Sequence, residues 1–204
     1  MNKAGLQMGT GEMAVSQWRP DRIDGAEIEL IAAADAAPIL PGLAYIRPLG
    51  SGGFAAFGAT RAVRFTPDSN TSINWTDFIG SGRVLILGHD TADATLLWQQ
   101  RISLAGNLRI IQVDDGSAAI DAKMSGIIAG GSSGTVNIFS KSGAGTLAFT
   151  AQNTYWGETI INSGTLMIGD GGTVGGISQN TPIITVEPGA VLAANRSNTL
   201  TQGT

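Results

Sequence analysis

The residues that could do chemistry in this chain are few and far apart. His89 is the only histidine, so any Ser-His-Asp triad would have to use it, and no serine stands in a Gly-Asp-Ser-Gly context. The segment Leu87-Gly88-His89-Asp90-Thr91 is typical of a turn between two strands. We therefore expect His89 to be a surface corner residue, and we predict no catalytic residue.

Two acidic motifs suggest further chemistry. Asp114 and Asp115 resemble paired catalytic carboxylates, but neighbours on a strand point to opposite faces and the chain has no Gly-His-Gly or Arg-x-Lys partner motif. Gly169-Asp170-Gly171-Gly172 is one copy of a glycine-rich turn, whereas calcium sites of that kind need ligands from successive repeats. We expect both motifs to be turns, with no metal and no cofactor.

Aromatic side chains are the candidates for ligand contact. Rings stack well on sugars, and the adjacent pair Tyr155 and Trp156 is the candidate for contact with carbohydrate. Core packing or corner capping is the commoner use of aromatic residues as widely spaced as these.

Composition excludes several classes of function. The net charge is −4 and the pI is about 4.8, so the chain has no electrostatic attraction to nucleic acid or anionic lipid. There are no cysteines, which excludes disulfides and thiolate metal sites. No window reaches the length of a membrane-spanning helix, so we expect no membrane insertion by this segment.

The elements that must position these residues are short strands. With 29 glycines and 14% charged against 43% hydrophobic residues, the chain favours strands joined by tight turns. Residues 25–37 favour a strand running into a short helical turn. Further strands are predicted at 43–47, 54–57, 62–65, 72–75, 83–87, 95–98, 101–104, 109–113, 119–124, 126–128, 135–139, 146–150, 158–161, 165–168, 183–186 and 190–193.

A short sequence motif recurs along the second half of the chain. Gly145-Thr146-Leu147 returns 19 residues later at Gly164, and a variant follows 25 residues after that at Gly189. Such a return is typical of a solenoid, in which each coil covers the apolar face of its neighbour. Alternation within the strands predicts the inward side chains, which are Leu147, Phe149, Ile161, Leu166, Ile168, Ile184, Val186 and Leu192.

These motifs resemble those of a known family. The run Gly143-Ala144-Gly145-Thr146-Leu147, then Asn153-Thr154-Tyr155, and then Thr159 to Gly169 resembles the autotransporter-associated β-strand repeat of bacterial passenger regions. The likeness is close over Lys141 to Asp170 and weaker over about 50–204. It departs from the family at Trp156, where a small residue is usual, and at Lys123.

The resemblance and the strand pattern together predict an all-β fold: a right-handed, single-stranded parallel β-helix with a less regular N-terminal cap region. Residues 1–42 form the irregular lead-in or cap. Residues 43–204 form the β-helix passenger-type segment with its autotransporter-associated repeats.

The resemblance implies a non-catalytic structural segment of a bacterial surface or secreted passenger, acting as a rigid stalk in adhesion or display outside the cell or on its outer membrane. The resemblance names no ligand, and the expected partners are host or neighbouring-cell surfaces or glycans. Exposed strand edges at the open coil ends also predict end-to-end association of copies. A virion structural, decoration or spike protein is the alternative, and a polysaccharide-processing β-helix enzyme is a weaker one.

The start of the chain has no apolar stretch of signal-peptide length, and residues 200–204 continue the repeat pattern. We therefore expect an internal segment whose signal peptide and membrane barrel lie outside it.

Overall fold

The fold is described by a computed structural model that covers the backbone of residues 28–29 and residues 51–65 and 68–200. The strands are β1 (Ile28–Glu29), β2 (Gly52–Phe54), β3 (Arg61–Arg64), β4 (Ile73–Asn74), β5 (Val84–Leu87), β6 (Leu96–Trp98), β7 (Ile102–Ser103), β8 (Leu108–Val113), β9 (Ala122–Met124), β10 (Ile128–Ala129), β11 (Asn137–Ser142), β12 (Thr146–Phe149), β13 (Gly157–Ile161), β14 (Thr165–Ile168), β15 (Ile184–Val186) and β16 (Val191–Ala194). One short helix, α1 (Trp75–Phe78), lies between β4 and β5.

The strands form three sheets in which every pair is parallel. Sheet I has the order β1-β3-β6-β9-β12-β14-β16, sheet II has β2-β5-β8-β11-β13-β15, and sheet III has β4-β7-β10. From β3 to β11 the chain visits sheets I, III and II in turn and then returns to sheet I one strand further along, and from β12 to β16 it alternates between sheets I and II. This path is a coil, and it confirms the predicted all-β parallel β-helix.

Strand registers line up equivalent side chains from coil to coil. In sheet I, one row of register partners runs from strand to strand in the order Leu96, Ala122, Leu147, Leu166 and Leu192. The first four of these residues are buried. Since each large aliphatic side chain contributes roughly 1.5–3 kcal/mol when it is buried, these rows form one continuous core that no single coil could supply.

The last coil corrects part of the inward prediction. Val186 and Leu192 lie in register beside the buried Ile161 and Leu166, as inward side chains would, but 44% and 40% of their surfaces are exposed. No further coil among the described residues lies on β15 and β16, so alternation gives their direction correctly and their burial wrongly. Leu147, Phe149, Ile161, Leu166 and Ile168 are buried as predicted.

A second correction concerns Trp75, predicted as the end of a strand. It begins α1, and its indole Nε1 donates to the Gly80 carbonyl at 3.1 Å. Asn74 precedes the helix and its amide donates to Asp77 at 3.0 Å, so local polar contacts favour a helical turn over the strand preference of Trp75.

Most predicted strands are present with small shifts of their ends, and Ile28–Glu29 is a strand within the predicted 25–37 run. The predicted strand at 43–47 and the boundary between residues 42 and 43 lie outside the described residues. No helix in the described part of the chain is long and apolar enough to cross a membrane.

Candidate functional site

Buried polar side chains join successive coils at their corners. Asn137 begins β11 and is fully buried. Its Oδ1 accepts from the Gly106 amide at 2.7 Å, and its Nδ2 donates to the carbonyls of Gly130 at 2.8 Å and Trp156 at 2.9 Å. One side chain therefore holds the backbones of three coils together and satisfies groups that burial would otherwise leave unpaired.

Asn153 and Asp121 act in the same way. Asn153 accepts from the Ile128 amide at 2.8 Å and donates to the Gly176 carbonyl at 2.9 Å. The buried carboxylate of Asp121 accepts from the amides of Gly116 and Thr146, each at 2.8 Å. Each carboxylate oxygen of Asp121 therefore accepts one backbone hydrogen bond.

Lys141 is a buried cation inside the coil. It lies in β11 between Ile111 and Ile161 of the neighbouring strands. Its Nζ donates to the carbonyls of Ser142 at 3.2 Å, Gly143 at 2.6 Å and Ser163 at 2.9 Å. Burial lowers the pKa of Lys141 to about 8, although the negative charge of Asp121 and, more weakly, of Asp115 and Asp114 opposes that change.

Arg109 is a second buried cation. Its Nε donates to the Leu104 carbonyl at 2.7 Å, and its guanidinium carbon lies 5.8 Å from the centre of the Trp75 ring. Burial lowers the pKa of Arg109. The two terminal nitrogens form no hydrogen bond with the described residues, and the position of the guanidinium over the Trp75 ring is a favourable cation-π contact.

Of the residues considered for catalysis, His89 and Asp114 lie close to each other. His89 and Asp114 line one small pocket of about 150 Å³ next to the Gly52-Gly53 edge. The His89 Nδ1 is held by its neighbours, at 2.7 Å from Asp90 Oδ1 and 2.8 Å from Thr91 Oγ1. Asp114 accepts from the Gln112 amide at 2.7 Å. No serine or threonine lines this pocket, so no triad is assembled there.

The other motifs are turns. Asp115 is exposed, and Asp170 pairs with Lys123 of β9 at 2.5 Å across two coils. A Gly-x-Ser-x-Gly string at residues 130–134 is a tight turn closed by Ser132 and Thr135 through two backbone hydrogen bonds, unlike a strand-to-helix elbow. The described residues contain no group of three His, Cys, Asp or Glu that could hold a metal ion.

The two aromatic candidates have different environments. Tyr155 is fully buried, and its hydroxyl lies 2.5 Å from Thr159 Oγ1. Burial raises the pKa of Tyr155 to about 12. This position leaves no ring face for a sugar. Trp156 is 37% exposed at the next position, and its contact with carbohydrate stays a prediction.

Sequence reasoning did not find the polar residues that join the coils. Asn137 and Lys141 alternate with Phe139 along β11, so period-2 alternation alone indicates that they share its inward face. The corner positions of Asp121 and Asn153, just before β9 and after β12, have no comparable signal because turns favour Asp and Asn for local reasons as well.

Comparison with known proteins identifies one repeat in the second half of the chain. Residues 139–168 match the family described as the passenger-associated transport repeat, a repeat of autotransporter passengers. The match covers β12, β13 and β14, and it confirms the resemblance that was closest over Lys141 to Asp170. Such a repeat implies secretion to the cell surface or outside the cell. No curated protein and no solved structure matches the chain.

Proposed function

We propose that this chain is a non-catalytic structural segment of a bacterial surface or secreted autotransporter-type passenger, and that its β-helix is a rigid stalk in adhesion or display outside the cell or on its outer membrane. The observation that carries the proposal is the passenger repeat at residues 139–168 within sheets that stack in register.

The stacking supports a mechanical role. Sheet I has seven strands, and six steps of ~4.8 Å make a stack about 29 Å tall. Hydrophobic rows and the polar contacts of Asn137, Asn153 and Asp121 run along this axis, so bending would break several buried interactions at once. The chain contributes reach while resisting proteolysis.

The non-catalytic part of the proposal has its own support. Passenger repeats of this kind are usually non-catalytic, and the pocket shared by His89 and Asp114 has no hydroxyl nucleophile in its lining. The test is a reducing-end assay of the purified chain on pectin and alginate. We expect no release of reducing ends, and reproducible release that an Asp114→Asn variant abolishes would contradict the proposal.

Surface display is tested in cells. The chain is placed between the export signal and the outer-membrane anchor of a laboratory autotransporter, with an epitope tag at its N-terminus. We expect antibody labelling of intact cells and a protease-resistant band of the size of the chain. A tag that becomes accessible only after lysis, although the protein is made and its anchor inserted, would overturn the display role.

We also propose end-to-end contact between copies. β15 and β16 each have one edge without a strand partner among the described residues, and the side chains of Ile183, Val186 and Leu192 are 40–52% exposed there. Sedimentation of the purified chain should show association that a Leu192→Lys variant weakens. A monomer at every concentration would exclude this contact.

A further inference from the structure

A groove on the described surface lies where sheet I turns toward sheet III. Its volume is about 330 Å³. Its polar walls come from the segments that follow β3, β6, β9 and β12, which are consecutive strands of sheet I, and their side chains are Ser69, Asn70, Gln99, Ser125, Thr150 and Gln152. Because these segments belong to successive coils spaced by ~4.8 Å, the groove runs along the solenoid axis.

The lining contains no charged side chain. All its polar side chains are hydroxyls or amides, and Ile127, Ala151 and Val174 supply an apolar part, Val174 being 55% exposed. A lining of this kind neither attracts phosphates or carboxylates nor offers the mostly apolar walls that a hydrophobic ligand needs. It suits a ligand that carries many neutral hydroxyls on an apolar ring.

The polar groups have free capacity on the groove side. The hydroxyls of Ser125 and Thr150 donate to the carbonyls of the preceding coil, at 3.3 Å to Trp98 and 3.2 Å to Met124, so their lone pairs remain able to accept. The side-chain amides of Asn70 and Gln99 form no hydrogen bond with the described residues. These amides can donate and accept at once, as a sugar hydroxyl requires.

The backbone of the groove is closed to a peptide strand. The amides of Gln99, Ser125 and Thr150 are already bonded to the preceding coil, at 2.9–3.0 Å. An extended peptide gains most of its affinity from backbone hydrogen bonds to an open sheet edge, which this corner lacks. Recognition here must come from side-chain hydroxyls and amides.

From these observations we infer that the groove between sheets I and III binds a neutral oligosaccharide laid along the solenoid axis. This inference names a partner class for the proposed surface role and rests on it, since that role places the groove among extracellular polysaccharides. Trp156 does not line the groove, so the site differs from the one predicted on aromatic residues.

The test is an NMR titration of the purified 204-residue chain. The probes are linear hexasaccharides of glucose with β-1,4, β-1,3 and α-1,4 linkages, the β-1,4 hexamer of N-acetylglucosamine, and hexagalacturonate as a charged comparison. We expect at least one neutral hexamer to shift the amide signals of Gly126 and Ala151 in a saturable way. Hexagalacturonate should bind more weakly.

The decisive variant combines Asn70→Ala with Gln99→Ala. Both side chains are at least partly exposed, so the fold should tolerate the change, which an unaltered melting temperature would verify. Loss of two amide partners should weaken binding about tenfold or more. Gln179→Ala removes an exposed amide outside the groove and should leave the affinity unchanged, as should Trp156→Ala.

Several results would overturn the inference: no saturable shift with any neutral hexamer, equal affinity of the double variant, shifts confined to the surroundings of Trp156, or equal binding of an uncharged hexapeptide. These outcomes do not depend on display. Binding could hold while the cell-surface test fails, and a displayed chain could fail to bind.

Discussion

Lys141 shows how the coil changes the chemistry of a single residue. The ammonium group lies among backbone carbonyls inside the stack, and burial outweighs the nearby carboxylates, so its pKa in the folded chain is about 8 against the ordinary 10.5. The charged form is therefore less favourable in the folded state than in the unfolded state. Lys141 is a cost to stability at neutral pH.

The sign of the resulting pH dependence follows from proton counting. Between about pH 8 and pH 10.5 the unfolded chain holds more of this proton, so the free energy of unfolding rises with pH, by up to about 3 kcal/mol. We expect the melting temperature to rise as the pH goes from about 8 to 9.5, and the rise to disappear in Lys141→Met. Thermal unfolding followed by circular dichroism at constant ionic strength measures this pH dependence.

Two controls isolate this effect. Lys123→Met removes a lysine from the outer face and should keep the rise. Tyr155, whose pKa is raised to about 12, acts in the opposite direction above about pH 10, because the unfolded chain then loses a proton that the folded chain retains. Equal pH profiles for the wild type and Lys141→Met would contradict the assignment.

At the scale of elements, a close approach of backbones limits which residues can begin a strand. Gly157 begins β13 with φ of 124°, and a Cβ at this position would lie 1.9 Å from the Asn137 carbonyl oxygen. Gly172, in the turn after β14, has open space around it. The coil therefore requires glycine at the first position and tolerates other residues at the second.

This difference makes a matched pair. We expect Gly157→Ala to lower the free energy of unfolding by about 2–4 kcal/mol, because backbone strain and overlap add, and Gly172→Ala to change it by well under 1 kcal/mol. Urea unfolding followed by circular dichroism compares the two. Similar midpoints for both variants would show that β13 and β11 are not packed as described.

Element positions were largely predictable from the sequence. β8, β12, β13 and β14 were predicted within two residues at each end, because runs of β-branched and aromatic residues stand between glycine-containing turns. α1 was missed since Trp75 favours strands and the contact of Asn74 with Asp77 competes with that preference. The candidate groove was not predictable, because its lining comes from the segments after five separate strands of sheet I.

At the scale of the whole molecule, each coil is stabilised mainly by its two neighbours. Leu166 of β14 is fully buried between Leu147 and Leu192, whereas Leu192 of β16 is 40% exposed at the end of the described stack. In such a one-dimensional array, a destabilising substitution affects its own coil and the adjacent coils first. The same change at these two positions therefore tests the stacking.

We expect Leu166→Asp to destabilise the C-terminal coils by several kcal/mol, since it buries a carboxylate without a partner, and Leu192→Asp to cost much less. Hydrogen exchange should show lost protection around β12, β14 and β16 while the amides near Trp98 stay protected. A melting temperature unchanged by Leu166→Asp would refute its inward position.

By itself the sequence determined the fold class, the short strands, the inward direction of the apolar rows and the passenger repeat, because alternation, turn residues and a recurring word are local signals. Only the tertiary structure decided that Tyr155 is buried, that Asn137, Asp121 and Lys141 join the coils, that Leu192 lies uncovered, and that hydroxyls and amides from four coils form one groove. Those properties depend on which segments of neighbouring coils are in contact after each full turn. Because the coils differ in length, the spacing of residues in the sequence does not determine these contacts.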